Sequence, residues 1–500
     1  MFIGLDVGTT NCKAIIIDEY GNFLSHASQE YPIIYPQPGY AEQDGEYVWQ
    51  TIELVLKQTI HKSGLTEIMA ISLSVQGDAV IPVDRNIVPL SHTILGMDYR
   101  SRSQTEKCIK IFGEDLLFQE TGMPPHPLNS LTKILWLKEE HPEVYAKAWK
   151  IMTYADYILG RLGADEPTID YTMASRTMAF SLHEREWAEG ILTKTGVSAE
   201  KLSRPLPSGT IIGRMNQKLC RKLGLKNRPL LVTGGHDQTC AALGAGVTKE
   251  GSAVNSTGTA EVLSTVFKKP LLSVVMRKSF YPCYIYTKPE LFFTFSLNHT
   301  GGIIYQWFRD EFCHQEQQKA KSEQKKAYSL LDEQFSSAPT GLFFFPHFNG
   351  SGTPTCNLQG KGTLLGMTLD TSRIDVAKSI LEGLTFELRL NIETMEEAGI
   401  NIKEIIAVGG GAKSQAWLRL KAAITNRPIK TLRNNDAACL GAAILAALGS
   451  GHFNTIDEAT KECVKFSQVL EPHQETVQQY EDYYQRYNRL YKKVLALYNF

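Results

Sequence analysis

The sequence predicts an α/β protein of two domains, and three observations carry that prediction. A chain of 500 residues that is 43% hydrophobic exceeds what one core normally organises. Its first 75 residues read as hairpin, helix and buried strand. A second Gly/Thr hairpin then opens the C-terminal half on the same plan.

Residues 2 to 7 (FIGLDV) and 12 to 18 (CKAIIID) are short runs rich in Ile and Val, separated by Gly8-Thr9-Thr10-Asn11, which is a hairpin pattern. A third strand is expected after the turn at Gly21-Asn22. Val48, Ile52, Val55, Leu56 and Ile60 recur at helical spacing behind Asp44, a capping residue type. IMAISLSV at 68 to 75 and LLVTGG at 230 to 235 read as buried strands. The Gly-rich stretch from Gly244 to Gly251 marks the boundary, giving domains 1–247 and 248–500. Beyond it, SAVNSTGTAEVLST at 252 to 265 repeats the hairpin. A helix at 374 to 398, the strand EIIAVGG and a small-residue helix at 436 to 451 complete the second domain. A polar helix near 314 to 335 carries Lys319, Lys321, Lys325 and Lys326 among Glu and Gln and reads as a solvated face. The tail stripe Val477, Tyr480, Tyr484, Tyr487, Tyr491, Val494 and Tyr498 reads as an amphipathic helix packed on its own chain.

With 52 basic and 53 acidic residues the formal charge is −1, so no field draws the chain to nucleic acid or to an anionic membrane. A small-molecule partner is the expectation. The opening MFIGLDVGTT lacks a basic n-region, and no apolar run approaches the roughly 18 residues of a membrane span. A cytoplasmic protein is therefore expected. Nine cysteines, odd in number and without CxxC pairing, predict reduced and mostly buried thiols.

Three constellations carry chemistry. In Asp6-Val7-Gly8-Thr9-Thr10-Asn11-Cys12-Lys13, a strand-end carboxylate precedes a turn whose Gly admits close backbone approach. Its N–H groups and Thr hydroxyls suit phosphate oxygens, Lys13 adds charge, and Asp6 suits magnesium, directly or through water. An ordinary hairpin turn would look the same, and the GxxxxGK[ST] spacing is absent. In Gly234-Gly235-His236-Asp237-Gln238, directly after a buried strand, Asp237 is placed to act as a general base toward a hydroxyl, unless it merely caps the next helix. His236 reads as a core histidine. In Val408-Gly409-Gly410-Gly411-Ala412-Lys413-Ser414, a strand enters a helix through three glycines, where backbone can lie against a nucleotide.

In this order and spacing the segments resemble the FGGY family of carbohydrate kinases over nearly the whole chain. The most specific element is Gly362-Thr363-Leu364-Leu365-Gly366-Met367, seven residues, then Asp375-Val376-Ala377-Lys378-Ser379-Ile380-Leu381-Glu382, which fits the family's C-terminal signature. Ser130 to Leu137 represents the N-terminal signature, with Leu128 at its first position. The resemblance implies two actin-like (ribonuclease H-like) domains with a ligand cleft between them, ATP and Mg2+ as cofactors, and a small carbohydrate as partner. A homodimer is compatible with it. It also implies that Gly8, Thr9, Thr10 and Lys13 form the first phosphate segment and Ser256-Thr257-Gly258-Thr259 the second. Gly302, Gln306, Gly409, Gly410 and Gly411 are then nucleotide contacts, Asp237 is the catalytic base, and Gln76, Gly77 and Asp78 line the sugar pocket. Gln-Gly-Asp departs from the Gln-Met-His common in xylulokinases and gluconokinases and from the Gln-Arg-Glu of glycerol kinases. Gly96-Met97-Asp98 replaces a Trp-x-Asp.

Asp78 and Asp98 are acceptors for hydroxyl pairs, and Gln76 and Gln238 both donate and accept. An open-chain ketopentose such as xylulose is therefore the expected substrate, with gluconate second through Arg100 and glycerol disfavoured by Gly77. An actin- or Hsp70-like ATPase and a catalytically dead sugar sensor are the rival classes.

Overall fold

The computed structural model describes residues 1–498. Its N-terminal sheet contains β1 (Phe2–Val7), β2 (Asn11–Ile17), β3 (Phe23–Glu30), β4 (Ala70–Val75), β5 (Ile211–Arg214) and β6 (Leu230–His236). Their order is β5-β6-β4-β1-β2-β3. The inner strands β1, β4 and β6 run parallel, while β2, β3 and β5 are antiparallel to their neighbours. The C-terminal sheet contains β7 (Gly251–Thr257), β8 (Glu261–Phe267), β9 (Tyr284–Ile285), β10 (Phe292–Asn298), β11 (Ile402–Gly409), β12 (Ile429–Leu432) and β13 (Phe466–Leu470), in the order β9-β10-β8-β7-β11-β12-β13. Strand for strand, β3-β2-β1-β4-β6-β5 corresponds to β10-β8-β7-β11-β12-β13, with the same directions. The repeated hairpin of the sequence is thus the visible part of a repeated fold.

The helices begin where capping chemistry allows. In α1 (Gly45–Ser63), the Asp44 carboxylate accepts from the N–H groups of Glu46 and Tyr47, and Gly64 ends the helix at φ 68. Asp170 caps α2 (Tyr171–Arg176) in the same way. The helix α3 (Asp237–Gly244) follows β6 without a loop. The second half adds α4 (Gly302–Phe312), α5 (His314–Ser322), α6 (Ala327–Asp332), α7 (Arg373–Glu397, with a Ser372/Asp375 capping box), α8 (Gln415–Thr425), α9 (Ala437–Gly449) and α10 (Gln474–Ala496). The polar segment is two helices rather than one, broken near Gln324 at φ 53. Its Lys319, Lys321 and Lys325 are solvated as expected. The tail α10 packs on its own chain: Tyr480 and Tyr484 donate to Glu382 and Glu393 of α7.

The small-residue helix α9 lies across β1, β4 and β6 of the first sheet and crosses α3. The approach is so close that a Cβ on Gly4 would collide with the Cys439 carbonyl, one on Gly244 with that of Ala437, and one on Gly441 with that of Cys240. The small side chains of α9 are what permits a helix from the second half to seat on the first. All nine cysteines are free, and all but Cys356 are buried. Among the described residues no helix is long and apolar enough to cross a membrane.

Candidate active site

The parallel register of the first sheet brings three distant segments to one edge. Val7 of β1 and His236 of β6 both pair with Val75 of β4, so Gly8, Gln76 and Asp237 leave the sheet side by side at its C-terminal end. Asp237 opens α3 with its side chain 31% exposed. Burial, and next the charge of Asp6, push its carboxyl up to about 7, against the Gln238 N–H and the Arg176 guanidinium. His236 Nε2 lies 3.1 Å from Asp237 Oδ1, and Nδ1 lies 3.0 Å from the Tyr284 hydroxyl. Burial and the neighbouring Arg176 hold this imidazole neutral, well below its usual range. The neutral ring is anchored by its hydrogen bond with the Tyr284 hydroxyl and sits against Asp237 without a hydrogen bond to it.

The turn after β1 is held from behind by its carbonyls. Tyr31 Oη donates to Gly8 O at 2.6 Å, Gln76 Nε2 donates to the same oxygen at 3.2 Å, and Gln43 Nε2 donates to Thr9 O at 2.5 Å. In a trans peptide the N–H points opposite the C=O, so the N–H groups of Thr9 and Thr10 face away from these anchors, as an anion cradle requires. Asp6 accepts from Ser74 Oγ at 2.6 Å, and burial raises its carboxyl to about 6. Lys13, directly across the ladder from Asp6, is paired at 2.5 Å with Asp436, a partner that no local motif marks.

On the sugar side the structure separates the expected residues. Gly77 and Gln238 are partly exposed beside Asp237, and Asp78 is buried near them. The Gln76 amide is committed to Gly8 and Gln43, so it ties the two segments together. Asp98 departs from expectation. Its side chain is fully enclosed and accepts from the Ala41 N–H at 2.6 Å and from the Arg100 N, Nε and Nη2 at 2.9, 2.9 and 2.7 Å. It has no oxygen to spare for a ligand. Arg100 is equally committed, to Asp98 and Glu42 and to the face of Tyr40. The cation that does adjoin Gly77 and Asp78 is Arg176 of α2, which the sequence reading missed because no motif marks it.

The second hairpin and the glycine loop line a cavity of about 620 Å³ with Thr257, Gly258, Thr259, Gly302, Gln306, Gly410 and Gly411 on its wall. Lys326, Tyr328 and Asp332 close it from the broken polar segment, and Ser414, bonded to Asp332 at 2.6 Å, closes it from α8. That a solvated polar stretch supplies a cavity wall was not legible in its composition. The glycines have distinct reasons. Gly409 takes φ 80 with its Cβ position 2.6 Å from Thr257 O, Gly411 lies against the Thr257 side chain, and Gly302 lies against Gly258 O at 2.9 Å. Thr257 itself is buried. Its hydroxyl accepts from Lys421 Nζ at 2.8 Å and donates to Glu261 Oε1 at 3.0 Å, so its side chain positions the hairpin rather than facing the cavity.

Comparison with known proteins agrees with this architecture. A xylulose kinase from Staphylococcus epidermidis is 30% identical over 500 residues, spanning 99% of this chain and 97% of the relative. A gluconokinase from Bacillus licheniformis is 28% identical over 459 residues, 91% of this chain and 88% of the relative. Among solved structures, a xyloylose kinase from Brucella ovis superposes with a TM-score of 0.88 at 25% identity, covering 99% of each chain. The N-terminal domain of the FGGY family of carbohydrate kinases matches residues 1–244 and its C-terminal domain residues 253–450. With strand-end carboxylates, an anion-cradling turn and a nucleotide-sized cavity all inside those two matches, the chain belongs to the FGGY family of carbohydrate kinases and is an ATP-dependent sugar kinase.

Proposed function

We propose that this kinase phosphorylates an open-chain ketopentose, xylulose first, at a primary hydroxyl, with Asp237 as the base. The observation that carries the reading is the place of Asp237: partly exposed, its pKa raised to about 7, at the sheet edge next to the strand that leads into Gly77 and Asp78, with Asp6 and the phosphate turn one strand further on. An acceptor hydroxyl at Asp237 gives up its proton as its oxygen attacks the γ-phosphorus. The new O–P bond forms while the bond to the bridging oxygen breaks, and ADP leaves. Xylulose kinases recur among the relatives of this chain, which supports the same acceptor here.

The residues present fit magnesium. Asp6 has its carboxyl raised by burial, with Asp436 adding to the shift, and Asp6 in turn raises Asp237, an accumulation of negative charge that a cation relieves. Among the described residues no cluster of three or more His, Cys, Asp or Glu side chains could enclose a metal. Asp6 would therefore hold it together with phosphate oxygens and water, directly or through a water molecule. Bound magnesium supplies charge neutralisation on the phosphates. We place the enzyme in the cytoplasm, since a sugar kinase works where ATP is.

Gluconate is the weaker reading because the Arg100 that was to receive its carboxylate is already neutralised by Asp98 and Glu42. The test is kcat/KM across xylulose, ribulose, xylitol, glycerol and gluconate with Mg-ATP. Xylulose is expected to lead; ATP consumption that no acceptor stimulates would return the chain to the ATPase or sensor class.

A further inference from the structure

We propose that Arg176 and Asp78 form a neutral clamp for the acceptor sugar, in which Arg176 Nε donates to one sugar oxygen and Asp78 Oδ1 accepts from the hydroxyl beside it. The inference rests on the sugar-kinase reading above and adds the residue that reads the acceptor. The two residues are 98 positions apart and joined by one bond, Arg176 Nη2 to Asp78 Oδ2 at 2.6 Å. Both side chains are about 6% exposed. Of their remaining atoms, Arg176 Nε and Asp78 Oδ1 are buried and without a partner. Native structures rarely leave a charged donor and a charged acceptor open side by side, and a ligand presenting an acceptor next to a donor completes both.

The backbone shows the same preparation. Asp78 sits at φ 66, a left-handed conformation unusual for a residue with a side chain and often retained at ligand sites. Residue 77 has room only for glycine: a Cβ there would lie 2.8 Å from His236 Nε2 and 3.5 Å from Arg176 Nε. Gly96 faces it, its Cβ position 2.9 Å from Gly77 O and 3.5 Å from Asp78 Cβ. Gly77, Gly96 and Phe295 are partly exposed, so the surroundings of the buried pair can be reached from solvent. The rings of Phe295 and Tyr284 flank the guanidinium at 5.3 and 5.6 Å and fix its plane.

Charge then selects the acceptor. Arg176 and Asp78 cancel, Arg100 is cancelled by Asp98 and Glu42, and buried Lys133 donates to the backbone carbonyls of Pro127 and Leu128. A carboxylate-bearing acceptor meets Asp78 and finds the guanidinium groups of Arg176 and Arg100 already paired with carboxylates. An uncharged hydroxyketone, with a carbonyl oxygen for Nε and a hydroxyl for Oδ1, meets both open atoms.

The experiment compares wild type with Arg176→Gln, Arg176→Lys and Gly77→Ala, reading KM for xylulose and for ATP separately, and titrating xylulose and gluconate without nucleotide by calorimetry. Each variant is expected to raise the xylulose KM by at least about 10-fold, the scale of one lost buried hydrogen bond, with the ATP KM within about two-fold. Lysine does not rescue, because it has no donor at the Nε position. An unchanged xylulose KM in a folded Arg176→Gln, or gluconate surpassing every neutral acceptor in wild type, overturns the clamp. Should Arg176→Gln fail to fold, Arg176→Lys decides, since it keeps the charge beside Asp78 and removes only the Nε donor, and an unchanged xylulose KM there has the same meaning. A wild type that phosphorylates no acceptor brings down the sugar-kinase reading itself, whereas phosphorylated xylulose with indifferent variants brings down the clamp alone.

Discussion

Asp237 must be ionised to take a proton, yet burial and the charge of Asp6 both resist its ionisation. That conflict puts its carboxyl at about 7, near the pH at which a general base works best. The acceptor kcat/KM should fall about tenfold per pH unit below about 7 and level off above it; a flat profile from pH 5.5 to 8 would remove Asp237 from the mechanism. Asp237→Asn should lose at least about 10²-fold in turnover with ATP binding nearly unchanged. Stability moves the other way. The folded-state value lies above the ordinary aspartate value of 3.8, so the folded protein holds a proton that the unfolded chain has released. Stability attached to this group is therefore lost as pH rises from about 4 to about 7. The Tm gain of Asp237→Asn should accordingly be larger at pH 8 than at pH 5.

At the scale of elements, the second hairpin is held by a buried ion pair. Lys421 of α8 reaches Thr257 Oγ1, Asn255 Oδ1 and Glu261 Oε1, lies over the ring of Trp417, and is 1% exposed, as is Glu261. Such a pair need not add net stability, but removing one member strands the other, at a cost of about 3–5 kcal/mol. Lys421→Met should therefore lower Tm and raise the ATP KM, leaving the acceptor KM in place. Adding Glu261→Gln should restore much of the Tm, because no buried charge is left alone, without restoring the ATP KM, because Thr257 stays unanchored. Full recovery of both by the double variant would show that the pair acts through stability alone. The tail helix serves its domain in a similar way, with Tyr480 and Tyr484 bonded to carboxylates of α7.

For the whole molecule, the candidate site draws on both sheets, from Gly8, Gln76 and Asp237 at one and Gly258 and Gly410 at the other. The halves touch closely where α3 crosses α9, glycine against backbone. We propose that this crossing, beside the boundary at 247/248, is the pivot on which the domains close. Closure that excludes water would protect ATP from hydrolysis. Small-angle scattering should show a smaller radius of gyration with xylulose and a non-hydrolysable ATP analogue together than with neither. Superimposable profiles in the two conditions would rule out the closure.

The sequence by itself determined the features written in neighbouring residues. Alternation and β-branching marked the hairpins and buried strands, Asp44 marked a helix start, and the turn at Gly8-Thr9-Thr10 and the strand-end Asp237 could be read as chemistry because strand, turn and carboxylate are contiguous. The repeated Gly/Thr hairpin even announced the repeated fold. Tertiary structure alone decided which charges remain free. Asp98 looked available but is enclosed by Arg100 and Ala41, and Thr257 looked like a phosphate donor but is taken by Lys421 and Glu261. Arg176 carried no signal yet stands against Asp78 from 98 residues away. Small residues in α9 announced close packing without saying against which sheet. A local pattern fixes the conformation and the buried face of a segment, but a carboxylate's partner is settled by sheet order and helix crossing, which bring together residues that share no spacing in the chain.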